Sequence, residues 1–125
     1  GAVLTAVPGS SAIYKGGVIS YTNEIKQNIL GVDSKLLEEH GAVSEPVAMA
    51  MAQGVKALLK TDIAVSVTGL AGPDGDDMGN PVGLVYIGYT DNSNIICKRC
   101  YFDGDRDSVR RQAIEAVLAL ILQNN

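Results

Sequence analysis

The chain has 125 residues, of which 46% are apolar, and its formal net charge is −4. A chain of this length can bury the core of one compact domain. The acidic balance argues against a protein that holds nucleic acid or an anionic membrane through bulk positive charge, so an anionic ligand would need local basic groups. No apolar run approaches the roughly eighteen residues of a membrane span, and we expect a soluble cytoplasmic protein.

The first segment, "GAVLTAVPGSS", is typical of the last turns of an apolar helix that Pro8 and Gly9 stop. We therefore expect a fragment whose N-terminal part is missing. Next, "GGVISYT" (residues 16–22) is rich in β-forming residues and bounded by glycines, and it predicts the first strand.

Three helices are predicted after this strand. The first begins at a cap on Thr22 or Asn23 and runs to about Leu30. The second is "DSKLLEEHG" (residues 33–41), and the third extends from a cap at Ser44 to Lys60 with apolar residues at helical spacing.

The second half of the chain predicts strands and one more helix. "DIAVSVTG" (residues 62–69) is typical of a strand buried on both faces, which predicts a central position. A glycine-rich loop follows, and then "VGLVYIGYT" and "IICKRCYF" flank the turn "DNSN" as an antiparallel hairpin. A helix capped by Asp105 or Asp107 is the last element. The order of the elements predicts a three-layer α/β/α sandwich with a mixed sheet of about four to five strands.

Lys26 is the first candidate for chemistry. At the head of a helix, the dipole and the free N–H groups would lower the pKa of a lysine toward that of a useful base. Tyr21, at the end of the preceding strand, could relay a proton or orient the lysine, and Ser11 lies in a turn that could face the same strand end. The alternative is a solvated surface lysine and a structural tyrosine.

The second candidate is the loop "TGLAGPDGDD" (residues 68–77), which leaves a strand at its carboxyl end. Thr68 and the N–H groups of Gly69 and Gly72 could hold a phosphate or an oxyanion, although a mobile polar connection explains the composition equally well. In "DGDRDSVRR", Arg106 stands at a helix start and could add a bidentate contact to an anion. Its alternative, and the favoured one for Arg110 and Arg111, is an ion pair with a neighbouring aspartate.

The remaining reactive residues indicate no site. Cys97 and Cys100 have C-x-x-C spacing, but residues three apart on a strand point to opposite faces, so we expect two ordinary reduced thiols. His40 stands alone before Gly41, as suits a helix C-terminus.

Seven segments in order carry a resemblance that covers essentially all 125 residues: "PGSSA", "GGVISYTNEIK", "GV", "HGAVSEPV", "VSVTGLAGPDG", "PVGLVYIG" and "FDGDRDSVRRQA". Together they closely resemble the CinA C-terminal domain family, whose enzymes are nicotinamide-nucleotide amidases. The resemblance implies one domain over residues 1–125, truncated at its N-terminus, with an α/β/α fold. It also implies hydrolysis of the carboxamide of nicotinamide mononucleotide to nicotinate mononucleotide and ammonia, without a metal or other cofactor.

The resemblance also implies roles for individual residues. A serine in a Ser-Cys-Thr-Gly-Gly segment would be the nucleophile, with Lys26 and Tyr21 at the positions of the activating lysine and tyrosine. Ser11 and Thr68 match positions near the reacting amide, and Arg106 matches a position near the phosphate. The serine segment is absent from the 125 residues and is expected just upstream of Gly1, so the chain alone should be inactive.

The second hypothesis is a non-catalytic nucleotide-binding or regulatory module linked to competence or DNA damage. In either case a small nucleotide is the expected partner, and neither nucleic acid nor a membrane is expected to bind directly. The apolar face of the hairpin and the C-terminal helix could support a dimer.

Overall fold

The computed structural model describes all 125 residues, from Gly1 to Asn125. The elements in chain order are α1 (Ala2–Thr5), a 3-10 turn (Ser10–Ala12), α2 (Asn23–Asn28), α3 (Ser34–His40), α4 (Glu45–Leu59), β1 (Ala64–Gly69), β2 (Leu84–Thr90), β3 (Ile95–Tyr101) and α5 (Arg106–Gln123). None of the helices combines the length and the apolar character that crossing a membrane requires.

The three strands form one antiparallel sheet in the order β1-β2-β3. The α/β class is confirmed, but the predicted mixed sheet of four to five strands is wrong, because every pairing is antiparallel and only three strands form. The predicted central position of β1 is also wrong. The hairpin strand β2 lies in the centre, whereas β1 is an edge strand whose Val67 is 45% exposed.

Residues 16–22, predicted as the first strand, form no strand. Their side chains still alternate, since Val18 and Ser20 are half-buried while Ile19 and Tyr21 are exposed. The side chains of these β-forming residues therefore alternate in direction, as they would in a strand. No neighbouring strand supplies the ladder of hydrogen bonds that would complete a sheet.

Helices α4 and α5 cover opposite faces of the sheet, which confirms the three layers. On one face, Val85, Ile87 and Tyr89 of β2 join a core with Val109 and other residues of α5. On the other face, β1 approaches α4 so closely that the Ser66 hydroxyl donates a hydrogen bond to the carbonyl oxygen of Ala48 at 2.6 Å. The alternation of side chains along each strand thus fixes which helix each residue meets.

A second core joins α3 and α4 with the segment that follows α2. Its buried members are Leu30, Val32, Leu37, Val47 and Met51. Gly54 of α4 lets the two backbones meet here, since a Cβ added to it would lie 2.0 Å from the carbonyl oxygen of Leu30. This contact sets the turn after α2 directly against α4.

Side-chain caps set the starts of three helices. Thr22 accepts a hydrogen bond from the N–H of Ile25, Asp33 accepts one from the N–H of Lys35, and Asp105 accepts one from the N–H of Ser108. Ser44 occupies the N-cap of α4, as predicted, but makes no capping hydrogen bond. Its hydroxyl donates instead to the carbonyl oxygen of Gly41, which closes the connection between α3 and α4.

Candidate functional site

Lys26 lies on α2 with its side chain buried, so that only 6% of the residue is exposed. Its Nζ donates a hydrogen bond to the carbonyl oxygen of Ser20 at 2.6 Å. The carbonyl oxygen of Lys26 accepts a hydrogen bond from Val32, which folds the chain after α2 back toward the lysine. The amine is therefore bonded to the extended residues before α2, and it belongs to a side chain that is largely buried.

Burial lowers the pKa of Lys26 below its ordinary value of 10.5. The sequence predicted the same direction from the dipole of the helix N-terminus. That cause does not apply, because α2 has six residues and Lys26 is the fourth of them. Desolvation of the ammonium disfavours the charged form instead.

Tyr21 and Ser11 do not meet Lys26 through a hydrogen bond. Tyr21 is 85% exposed and its hydroxyl makes no hydrogen bond within the chain, while Ser11 is exposed in the 3-10 turn. The contact that sequence reasoning missed is the carbonyl oxygen of Ser20. No side-chain pattern could have indicated it, because every residue carries a main-chain carbonyl.

The glycine-rich loop begins at the end of β1, where Thr68 is buried. Its hydroxyl donates a hydrogen bond to the carbonyl oxygen of Ala42 at 2.7 Å. Gly69 follows in close contact with β2, where a Cβ would lie 2.7 Å from the side chain of Val85. Gly72 has a φ of +101°, a conformation that favours glycine. The hydroxyl of Thr68 is thus engaged in the fold.

Arg106 is joined to this loop. Its Nη1 donates a hydrogen bond to the carbonyl oxygen of Gly72 at 2.9 Å, so the structure brings together two residues that the sequence placed in one site. The predicted alternative of ion pairs with neighbouring aspartates is not found for Arg106, Arg110 or Arg111, because the one close contact between a basic and an acidic side chain joins His40 and Glu39, at 3.8 Å. The other guanidinium N–H groups of Arg106 make no hydrogen bond within the chain and can bind an anion.

An open cavity of about 210 Å³ lies beside the loop, between the sheet and α5. Its lining is mostly apolar and includes Val67, Gly69, Val85 and Val109, with Arg110 as its cationic residue. Arg110 is one helical turn beyond Arg106. That spacing was the signal that could have placed both arginines on one face of α5.

The two cysteines lie on opposite faces of β3, as the alternation of side chains along a strand predicted. Both are free thiols; Cys100 belongs to the core under α5, and Cys97 has the opposite parity on β3. No group of three or more His, Cys, Asp or Glu side chains is placed to hold a metal ion.

Known proteins match the chain along nearly its whole length. The family model described as the CinA C-terminal domain matches residues 1–124. A protein of Desulforudis audaxviator named putative competence-damage inducible protein is 41% identical over 117 residues, which are 94% of this chain and 28% of that protein. A CinA-like protein of Rippkaea orientalis is 47% identical over 121 residues, which are 96% of this chain and 29% of that protein. The chain thus spans less than a third of the length of either relative.

Solved structures share the fold. The competence damage-inducible protein A of Klebsiella pneumoniae superposes with a TM-score of 0.93 and 37% identity, over 96% of this chain and 74% of that one. A CinA superfamily protein of Escherichia coli gives a TM-score of 0.97 and 31% identity, over 99% of this chain and 72% of that one. The match over residues 1–124, together with these shared folds, shows that the chain belongs to the CinA C-terminal domain family, a family of competence and damage-inducible proteins.

Proposed function

We propose that the chain supplies the general base of a cytoplasmic amidohydrolase that converts nicotinamide mononucleotide to nicotinate mononucleotide and ammonia. The observation that supports the proposal is the buried amine of Lys26, whose pKa burial lowers. A lysine of lowered pKa is neutral in a larger fraction of molecules near neutral pH, and only the neutral amine can accept a proton. The substrate and the reaction come from the family resemblance.

The proposed chemistry assigns one task to each group. The neutral amine of Lys26 donates one N–H to the carbonyl of Ser20 and keeps its lone pair for the proton of an alcohol. That alcohol is the serine of the Ser-Cys-Thr-Gly-Gly segment, which the 125 residues do not contain. Its oxygen attacks the carboxamide carbon, and the N–H groups of Gly69 and Gly72 hold the oxyanion.

The tetrahedral intermediate then collapses, the C–N bond breaks, and ammonia leaves with the proton that Lys26 returns. Water hydrolyses the acyl-enzyme to release the nicotinate mononucleotide. Tyr21 would have to turn toward Lys26 to relay the proton or orient the amine. Ser11 and Thr68 would lie near the amide, and Arg106 would bind the phosphate through the N–H groups that do not bond Gly72.

The test is ammonia release from nicotinamide mononucleotide by the full-length protein and by its Lys26→Ala and Lys26→Arg variants. Loss of a general base should lower kcat by about 10²- to 10⁴-fold in both variants. Lys35→Ala is the matched control, since Lys35 is an exposed lysine on the neighbouring helix. The proposal is wrong if the wild-type protein is folded, binds the nucleotide and releases no ammonia.

The second candidate is a nucleotide-binding module without catalysis, and the exposure of Tyr21 favours it. Tyr21 is 85% exposed and makes no hydrogen bond to Lys26, so no direct proton relay joins the two residues in this conformation. A module of this kind would bind nicotinamide mononucleotide equally well after Lys26→Ala. Calorimetric titration of both proteins, read beside the ammonia assay, separates binding from turnover.

A further inference from the structure

The glycine-rich loop lies within the stretch from Thr68 to Asn80, and both ends of this stretch are anchored to the connection between α3 and α4. At the start of the loop, the hydroxyl of Thr68 donates to the carbonyl oxygen of Ala42 at 2.7 Å. At its end, Nδ2 of Asn80 donates to the next carbonyl, that of Val43, at 3.4 Å. Two consecutive carbonyl groups of one short connection thus hold residues that are twelve positions apart in the sequence.

Asp76 sets the orientation of the Asn80 amide. One carboxylate oxygen, Oδ1, accepts hydrogen bonds from the backbone N–H groups of Asn80 at 2.9 Å and of Met78 at 3.1 Å. The other oxygen, Oδ2, accepts one from Nδ2 of Asn80 at 2.8 Å. A carboxylate only accepts hydrogen bonds, so the nitrogen of the Asn80 amide must face it, and the same nitrogen then reaches Val43.

The charge of Asp76 strengthens this arrangement. Partial burial raises the pKa of the carboxyl, but the hydrogen bonds from Asn80 and Met78 outweigh that effect, so the pKa lies below its ordinary value of 3.8. Asp76 is therefore ionised at neutral pH, and hydrogen bonds to an ionised acceptor are the stronger kind.

The opposite side of the loop is held by α5. There the guanidinium of Arg106 donates to the carbonyl oxygen of Gly72 at 2.9 Å. The stretch from Thr68 to Asn80, which contains Gly69 and Gly72, is consequently held at its two ends by the α3–α4 connection and at Gly72 by α5 through Arg106.

We propose that Asp76 and Asn80 form a positioning pair, which holds the N–H groups of Gly69 and Gly72 where the oxyanion of the reaction develops. The inference rests on the proposed function, because the proposed reaction is what assigns the binding of the oxyanion to those N–H groups. Neither residue touches the substrate. Both act by fixing the distance between the loop and the connection that carries Ala42 and Val43.

The experiment compares Asn80→Asp and Asp76→Asn in the full-length protein with the wild type. Asn80→Asp sets a second carboxylate against Asp76 and the Val43 carbonyl, and Asp76→Asn removes the ionised acceptor. We expect kcat to fall by about tenfold or more with KM within about twofold, since misplaced donors weaken an interaction made only in the transition state. Asp77→Asn is the matched control, because Asp77 is an exposed neighbour without a hydrogen bond, and it should keep the wild-type kcat.

Hydrogen exchange of the backbone amides at residues 69–72 gives a second readout that does not depend on turnover. Exchange there should be faster in both variants and unchanged in Asp77→Asn. A wild-type kcat in both variants, or a KM that rises in parallel with the fall in kcat, overturns the inference. If the wild type itself releases no ammonia, the proposed function is wrong. Hydrogen exchange still tests the anchoring of the loop in that case, and unaltered exchange in the two variants would refute it.

Discussion

Lys26 and Ser20 are joined by a hydrogen bond of 2.6 Å from the amine to a main-chain carbonyl. The carbonyl supplies an acceptor but no negative charge. Burial is therefore not offset by a carboxylate, and the lowered pKa follows from it.

This relationship predicts how stability depends on pH. The folded state loses the proton of Lys26 at a lower pH than the unfolded state, so the unfolded state binds more protons between the lowered pKa and 10.5. In that window the free energy of unfolding of the wild type should rise with pH relative to that of Lys26→Met. Urea unfolding at pH 7 and pH 10 measures the difference. The free energy of unfolding of Lys35→Met should change with pH as that of the wild type does. If the amine of Lys26 were solvated, Lys26→Met would also show the wild-type change with pH, and the prediction would be wrong.

A second prediction concerns the contact between Gly54 and Leu30. In an exposed helix, Gly→Ala stabilises by about 1 kcal/mol. Here the new methyl would lie 2.0 Å from the carbonyl oxygen of Leu30, so Gly54→Ala should instead destabilise the protein by about 1 to 3 kcal/mol. Denaturant unfolding decides the sign. Gln53→Ala, at the exposed position beside it, should change the free energy of unfolding by less than about 0.5 kcal/mol.

A third prediction concerns the thiol of Cys97. Burial raises its pKa to about 11, and the negative charge of Glu45 adds to the effect. At pH 8 only about one thiol in a thousand is then ionised, and the thiolate is the reactive form.

Alkylation by iodoacetamide at pH 8 should accordingly be slow in the native protein and fast after unfolding in urea. The Cys97→Ser variant reports on Cys100 alone, whose pKa burial also raises. Native alkylation of Cys97 at the rate of the unfolded chain would contradict the prediction.

The helices and the hairpin could be predicted because their signals are local. Thr22, Asp33 and Asp105 cap helices through residues two or three positions away, and the turn of the hairpin is closed by Asp91, which accepts from the N–H groups of Ser93 and Asn94. Each of these patterns is complete within a few residues of sequence. The order of the elements follows from the same local patterns taken along the chain.

The pairing of strands could not be predicted, because it joins distant residues. The composition of β1 is typical of a strand buried on both faces, yet β1 pairs only with β2. Residues 16–22 have the alternation of a strand without a partner. Composition reports which side chains favour extended backbone, and it carries no information on which neighbour supplies the hydrogen bonds.

The contacts of the candidate site could not be predicted from the sequence. The link between Arg106 and Gly72 spans 34 positions, and the links from Thr68 and Asn80 to the α3–α4 connection span 26 and 37. Main-chain carbonyl groups accept all three hydrogen bonds. Every residue has such a carbonyl, so the identity of a residue does not indicate that its carbonyl is an acceptor. Such contacts become visible only in three dimensions.

Helix α4 meets bare backbone at two separate points. Gly54 leaves room for the carbonyl of Leu30, and Gly88 of β2 leaves room for the carbonyl of Ala48, with a hypothetical Cβ at 2.6 Å from that oxygen. A screw motion of α4 by one residue, which moves the helix about 1.5 Å along its axis and turns it by about 100°, would bring a neighbouring side chain into the space that Gly54 keeps free. We therefore expect α4 to keep its axial register, so that a rearrangement around a ligand would involve the segments that surround the helix.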